Sequence, residues 1–375
     1  MYLNKLKNTL NKNAFLTLSA LLTLSLTSCK DNDPIENSAK LSKQDVGKLI
    51  FFDQNLSNPA GQSCGTCHAG GFAFTDPLHS IVSPGIVDGL FGDRNAPSVS
   101  YAQFSPLFHY DNNEGLYIGG QFWDGRAATL EEQATKPFFN PLEMNNTDVN
   151  MLATKIRTAA YYNDFVNIYG NISDNNELLN KITDAIATFE RSDEVSPFTS
   201  KFDYYKKGEA ILTPMEEKGM ALFMDTLKGK CALCHLIESD PISGKILFTD
   251  FTYDNIGIPK NKFNPFYKIP SKHNPAGAGY IDLGLGKTTK SSDNDGQFKV
   301  PTLRNIAVTA PYFHNGAFAS LEEAVHFYNA RDVEPFPAPE IKETVNKDEL
   351  GDLKLTEDEE QAIVAFLKTL TDGYK

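Results

Sequence analysis

Two helical halves laid out to one plan, with long irregular loops and few strand signals, are the fold this sequence predicts. Three observations carry that expectation. Cys64-Gly65-Thr66-Cys67-His68 and Cys231-Ala232-Leu233-Cys234-His235 repeat one five-residue pattern far apart in the chain. Each copy follows an amphipathic segment and a short Gly-containing loop. Each half then closes on another segment with apolar residues at helical spacing.

The first 28 residues read as a cleaved export signal, not as a folded element. Lys5, Lys7 and Lys12 form a basic start, and Ala14 to Leu26 is mostly apolar, uncharged and too short to span a bilayer as a helix. Leu26-Thr27-Ser28-Cys29 resembles the lipobox of bacterial lipoproteins, in which the cysteine becomes the lipidated N-terminus. Residues 29–38 would then be that terminus and a polar tether, with Asp31, Asn32, Asp33 and Pro34. Several acyl chains anchor a protein stably where one holds it only marginally. An ordinary secreted chain with a spare thiol is the other reading, and the membrane face stays open.

Ser42 to Asp53 predicts a helix with Val46, Leu49, Ile50 and Phe52 on its apolar side, and Cys64 follows a Pro-Gly loop. Glu177 to Arg191 closes the first half through Leu178, Ile182, Ile186 and Phe189. The joint falls near Ser192 to Lys207. Thr213-Pro214-Met215-Glu216 then supplies an N-cap, a proline at the first helical position and a reciprocal glutamate, starting a helix that runs towards Leu227. Pro259 to Gly296 and Asn329 to Leu350 read as long loops. Thr356 to Leu370 ends the chain on Ile363, Phe366 and Leu367.

Cys-x-x-Cys-His is the attachment pattern of a c-type haem: two thiols bond the porphyrin and the adjacent imidazole takes the iron's proximal position. A four-thiolate zinc site usually holds its cysteine pairs about 15–20 residues apart, far closer than Cys67 and Cys231, and gives the histidines no role. A thioredoxin-like redox pair needs a βαβ context that neither site has. A helix before the cysteines and one at the end of the unit is the layout of small c-type cytochromes. The expected fold is therefore mainly α: two fused cytochrome c-like domains, 39–195 and 205–375, each with one covalent haem. The formal charge of −13 sets nucleic acid aside as a partner. An acidic surface suits a basic electron carrier, and equally keeps an exported protein soluble.

From Leu49 to the last helix the chain carries an ordered set of fragments: LIFFD at 49–53, RNAPS at 94–98, QFWDGRA at 121–127, EMNN at 143–146, ATFER at 187–191, VPTLRN at 300–305 and TAPYFHNG at 309–316. With these it resembles the bacterial di-haem cytochrome c peroxidase family, which includes the di-haem enzyme that matures methylamine dehydrogenase. The resemblance implies that His68 is the proximal ligand at a peroxidatic iron and His235 at an electron-receiving iron. It implies that Trp123, the one tryptophan, couples the haems, and that Glu143 is the catalytic acid/base. Core packing is the plainer role for Trp123, and an exposed charge near a helix start the plainer one for Glu143. The chemistry needs such a group, because cleaving O–O moves a proton from one oxygen to the other.

Two departures from the family follow. Many relatives block the peroxidatic iron with a distal histidine, which would fall at Ser83-Pro84-Gly85 here, where nothing can replace it; His79 and His109 are the nearest alternatives. An open, five-coordinate iron is expected. Peroxidase relatives also use a downstream methionine on the second iron, yet all six methionines here lie at or before Met224. The matching position is Tyr328, on a helix started by the capping box Ser320-Leu321-Glu322-Glu323. Leu321, Ala324, Val325 and Tyr328 share one face and His326 lies on the other, so Tyr328 is expected to point at the haem. Plain core packing of Tyr328, with His326 or nothing as ligand, is the alternative.

The resemblance further implies a calcium ion held by Asn95 and the carbonyls of Thr309 and Pro311, with water completing the shell. It implies hydrogen peroxide as substrate, a small cytochrome c or cupredoxin-like protein as donor, and allows a homodimer. The expected activity is reduction of peroxide to water, with electrons entering at the C-terminal haem. Oxidation of a protein or organic substrate is the first alternative, and a non-catalytic di-haem electron carrier the second.

Overall fold

The computed structural model describes residues 40–375; the expected signal, lipobox and tether, Cys29 included, lie outside the described residues. The first half contributes α1 (Lys43–Phe51), α2 (Cys64–Cys67), α3 (Leu130–Phe139), α4 (Val149–Arg157), α5 (Tyr162–Tyr169) and α6 (Asn175–Glu190). The second contributes α7 (Lys201–Lys206), α8 (Pro214–Met224), α9 (Leu285–Thr289), α10 (Leu321–Ala330) and α11 (Glu357–Lys368). Strand is confined to two antiparallel pairs among the described residues. These are β1 (His109–Asp111) with β2 (Leu116–Ile118), and β3 (Tyr253–Asp254) with β4 (Phe298–Lys299).

The helices begin where local chemistry dictates. Ser42 and Asp45 cap α1 reciprocally, as do Thr213 and Glu216 on α8, Ser320 and Glu323 on α10, and Thr356 and Glu359 on α11. Their ends are less regular. The second-half helix stops at Met224 instead of reaching towards Leu227, because Asp225 leaves the helix and its Oδ1 takes the Leu227 N–H at 2.8 Å. The joint at 192–207 is itself partly helical: α7 sends Phe202 into the second core. Helix α10 also runs on to Ala330, past the start of the expected loop at Asn329.

One packing arrangement occurs twice. Helix α1 crosses α6 at Gly47, where a Cβ would stand 1.9 Å from the Ala185 carbonyl oxygen; α8 crosses α11 at Gly219, where it would stand 1.8 Å from that of Ala362. A glycine at each crossing brings the backbones into contact. That contact sets the roll of α1, so Gly47 and Phe51 join Val46 and Ile50 inside, while Leu49 and Phe52, expected on the apolar side, are 42% and 40% exposed. Around each crossing three phenylalanines meet edge to face. Phe51, Phe74 and Phe189 have centroids 5.2–6.2 Å apart, and Phe223, Phe248 and Phe366 have centroids 5.3–6.2 Å apart. Such a pair adds about 0.5–1.5 kcal/mol beyond the area it buries.

Partly buried contacts join the two halves. Arg304, held within the second half by a fork onto Asp203 at 2.9 and 3.0 Å, lies over Tyr101 of the first half and Phe198 of the joint. Asp372 accepts from Tyr101 Oη at 2.6 Å and from Asn305 Nδ2 at 2.8 Å.

Candidate active site

Each haem motif folds as a single tight turn, α2 in the first half and a 3₁₀ turn at Cys231–Leu233 in the second. The backbone N–H of His68 donates to Cys64 O and that of His235 to Cys231 O, both at 2.9 Å. Both imidazoles then meet a backbone carbonyl through Nδ1: His68 at Phe74 O, 3.2 Å, and His235 at Phe248 O, 3.0 Å. A carbonyl only accepts, so Nδ1 carries the proton and Nε2 keeps a free lone pair, the orientation of a metal-ligating histidine. Burial holds both rings neutral, lowering His68 and taking His235 down to about 4.

Cys64, Cys67, Cys231 and Cys234 form no disulfide, and burial pushes the thiols of Cys67, Cys231 and Cys234 up to about 12 and that of Cys64 higher still. Among the described residues no three His, Cys, Asp or Glu side chains converge as a metal site, so the two pairs do not form a four-thiolate centre. In the second half Cys231, Cys234 and His235 line a largely apolar cavity of about 290 Å³. Two thiols, a neutral imidazole with its lone pair free and an apolar chamber fit a flat, covalently attached porphyrin.

Tyr328 lines the same cavity, and burial pushes its phenol far up. His326 turns away: Nδ1 meets Glu360 Oε1 at 3.0 Å and Nε2 meets Glu334 Oε2 at 3.1 Å, which raises its pKa. Trp123 also faces the cavity, with Nε1 donating to Asn95 O at 2.9 Å. Asn95, Thr309 and Pro311 are brought to that wall together. Asn95 Nδ2 donates to Ser80 O and Ile81 O, both at 3.2 Å, so its Oδ1 points away from them.

At the first motif, Glu143 comes in on the turn after α3. Asn140 Nδ2 donates to its Oε1 at 2.8 Å, and burial raises the carboxyl to about 7. Its backbone carbonyl accepts from the Ile86 N–H at 2.9 Å. Ser83-Pro84-Gly85 packs against the same turn: Gly85 has no room for a Cβ, which would stand 2.4 Å from Leu142 O, and Pro84 O accepts from Gln62 Nε2 at 3.0 Å. Gln62 in turn reaches Cys67 Sγ at 3.7 Å. His79 and His109 are exposed and bound elsewhere, to Ala310 O at 2.9 Å and Leu107 O at 2.8 Å.

Three further groups went unassigned in the sequence. Glu190, inside ATFER, is buried with Oε2 unpartnered, raised to about 8 by burial and close to Cys64. His314, inside TAPYFHNG, stacks on Phe298 at 3.5 Å with Nε2 unpartnered. Lys299 lies directly before VPTLRN and lines the cavity. The motifs contain or adjoin all three, but only the fold reveals their burial.

The sequence profile of the di-haem cytochrome c peroxidases matches residues 42–211. Across 349 residues the chain is 39% identical to the methylamine utilization protein MauG of Paracoccus denitrificans, covering 87% of this chain and 88% of that one. It is 33% identical over 349 residues to the cytochrome c551 peroxidase of Nitrosomonas europaea, covering 91% and 84%. Its fold is similar to the crystal structure of the diheme peroxidase BthA from Burkholderia thailandensis, with a TM-score of 0.78 at 32% identity over 88% of this chain and 86% of that one. With two haem-attachment turns, their free Nε2 atoms and these likenesses together, the chain belongs to the di-haem cytochrome c peroxidase family.

Proposed function

We propose that the chain reduces hydrogen peroxide to two waters, using two protons and two electrons from a small cytochrome c or cupredoxin-like donor. Cys231, Cys234 and His235, in the half spanning 205–375, would hold the haem that receives electrons, and Cys64, Cys67 and His68, in 39–195, would hold the one that supplies the peroxide-reactive iron. When bound, the haems supply the iron that exchanges single electrons and, at His68, the place where peroxide reacts. The rest falls to the protein. His68 and His235 offer Nε2 while their Nδ1–H groups are fixed by carbonyls, and Tyr328 supplies a phenolic oxygen to the second site. Trp123 stands in the cavity wall as the conductor between the halves.

Glu143 carries this reading. O–O cleavage requires one peroxide oxygen to lose a proton and the other to gain one. A carboxyl raised to about 7 does both near neutral pH, and its turn packs against the Ser83–Gly85 segment that Gln62 ties to Cys67. The segment at Ser83–Gly85 offers no ring to block the iron, so a high-spin ferric signal is expected in the oxidised protein. Steady-state oxidation of reduced cytochrome c by peroxide, with both haems counted beforehand, is the decisive measurement. No turnover together with two low-spin haems would leave a plain electron carrier.

A second reading is favoured by Tyr328 and by the 39% identity to MauG: long-range oxidation of a protein or organic substrate. It predicts peroxide consumption without oxidation of a cytochrome. Calcium at Asn95, Thr309 and Pro311 would support the wall beneath Trp123, and chelation should then alter the haem spectra. Cys29 would anchor the exported chain to a membrane, on the periplasmic side or the cell surface, so Cys29→Ser should release it to the soluble fraction. No described helix is long and apolar enough to cross a membrane.

A further inference from the structure

Among the described residues the arginines with the least exposed side chains, Arg94, Arg304 and Arg331, are neutralised locally, whereas Lys299, half-buried in the cavity wall, is not. Arg94 pairs with Asp282 at 2.6 Å and Asp124 at 2.8 Å, Arg304 with Asp203 at 2.9 Å, and Arg331 with Asp332 at 2.6 Å. Lys299 has no carboxylate within ion-pair distance among the described residues. Its three N–H donors find Gly120 O and, at 3.3 Å, Ser105 Oγ. The acid whose charge it feels, Asp124, is already engaged by Arg94 and by Arg126 at 2.8 Å. Desolvation draws the ammonium down to about 8. An isolated buried ion costs several kcal/mol unless an opposite charge offsets it.

The position of Lys299 says where that charge would come from. Its backbone N–H donates to Trp123 O at 2.8 Å, and its side chain lines the cavity shared by Trp123, Cys234 and His235. A c-type haem carries two propionate carboxylates, the anions this chamber would receive. We propose that Lys299 is the counter-ion of a propionate of the haem attached at Cys231 and Cys234, an assignment that rests on the haem reading above. A cation there favours the ferrous state and opposes the pull of a Tyr328 phenolate towards ferric iron.

The test is spectroelectrochemical titration of the two haems in the mature holoprotein and in Lys299→Met, Lys299→Gln and Lys299→Arg. Pyridine haemochrome first counts the haems; fewer than two in the wild type would defeat the haem reading itself, and with it the assignment. With two present, Met and Gln should each cut the ferrous-to-ferric ratio of the His235 haem by about tenfold at a fixed applied potential, a fall of about 59 mV for one electron. Arg, which keeps the charge, should stay within about twofold of wild type. Unchanged potentials in Met and Gln, an equal fall in Arg, or a shift confined to the His68 haem would each overturn the assignment.

Discussion

At the scale of single residues, the proposed chemistry turns on what burial does to two oxygen acids. Glu143 has one hydrogen-bond donor, Asn140, and too little water, so its carboxyl rises to about 7. If the carboxylate must accept the peroxide proton, kcat/KM should climb as pH passes up through about 7 and fall away below it. Glu143→Gln should remove that limb and lower turnover by about 10²-fold or more with both haems retained. A pH–rate profile identical in the variant would take Glu143 out of the reaction. Tyr328 is the converse case: burial makes its phenol hard to ionise, and only a strong positive centre in the cavity would hold it as phenolate. Tyr328→Met should raise the potential of the His235 haem, since a thioether donates no charge to ferric iron; an unmoved potential would return Tyr328 to a packing role.

Among the elements, the helix crossings decide most. Replacing a helical glycine by alanine ordinarily stabilises by about 1 kcal/mol. At Gly47 the added Cβ would stand 1.9 Å from Ala185 O, so Gly47→Ala should instead destabilise by about 2–3 kcal/mol, while Gly71→Ala, with nothing within 4 Å, should be near neutral. Paired denaturant curves give both values, and a stabilised Gly47→Ala would mean that the helices do not meet at their backbones. The same crossing shows what could be read beforehand. Helix starts were legible where a capping box announced them, because that motif is complete within four residues: Thr213 and Ser320 each began one. The facing of Tyr328 and His326 was legible for the same local reason. The roll of α1 was not, since the bulk of Leu49 and Phe52 argued for a face that Gly47, by admitting Ala185 from another helix, overrides. Lys299 was hidden for a related reason: nothing in its neighbourhood in the chain says that no acid will reach it.

Over the whole molecule, the halves are coupled by charge as well as by apolar contact. Arg94 comes from the RNAPS segment of the first half and Asp282 from the long loop of the second, 188 positions away, yet two hydrogen bonds of 2.6 and 2.7 Å join them in the interior. Beside them the Asn95 N–H donates to His314 O at 2.7 Å. The guanidinium holds the Asp282 carboxyl well below the usual carboxylate range. A carboxyl so depressed contributes stability above its unfolded pKa of about 3.9, and that contribution is lost as pH falls towards the folded value. In Arg94→Leu, Asp124 keeps Arg126, but Asp282 is left buried with only the Gly284 N–H at 3.0 Å. Breaking such a pair from one side costs about 3–5 kcal/mol. The deficit should be largest at neutral pH and shrink on acidification towards pH 4.5, because protonating the stranded Asp282 relieves the variant while the wild type keeps its own contribution until the pH falls below about 3.9. Unfolding followed by haem absorbance at pH 7 and pH 4.5 measures that gap. A deficit independent of pH would mean that Arg94 joins the halves by shape alone.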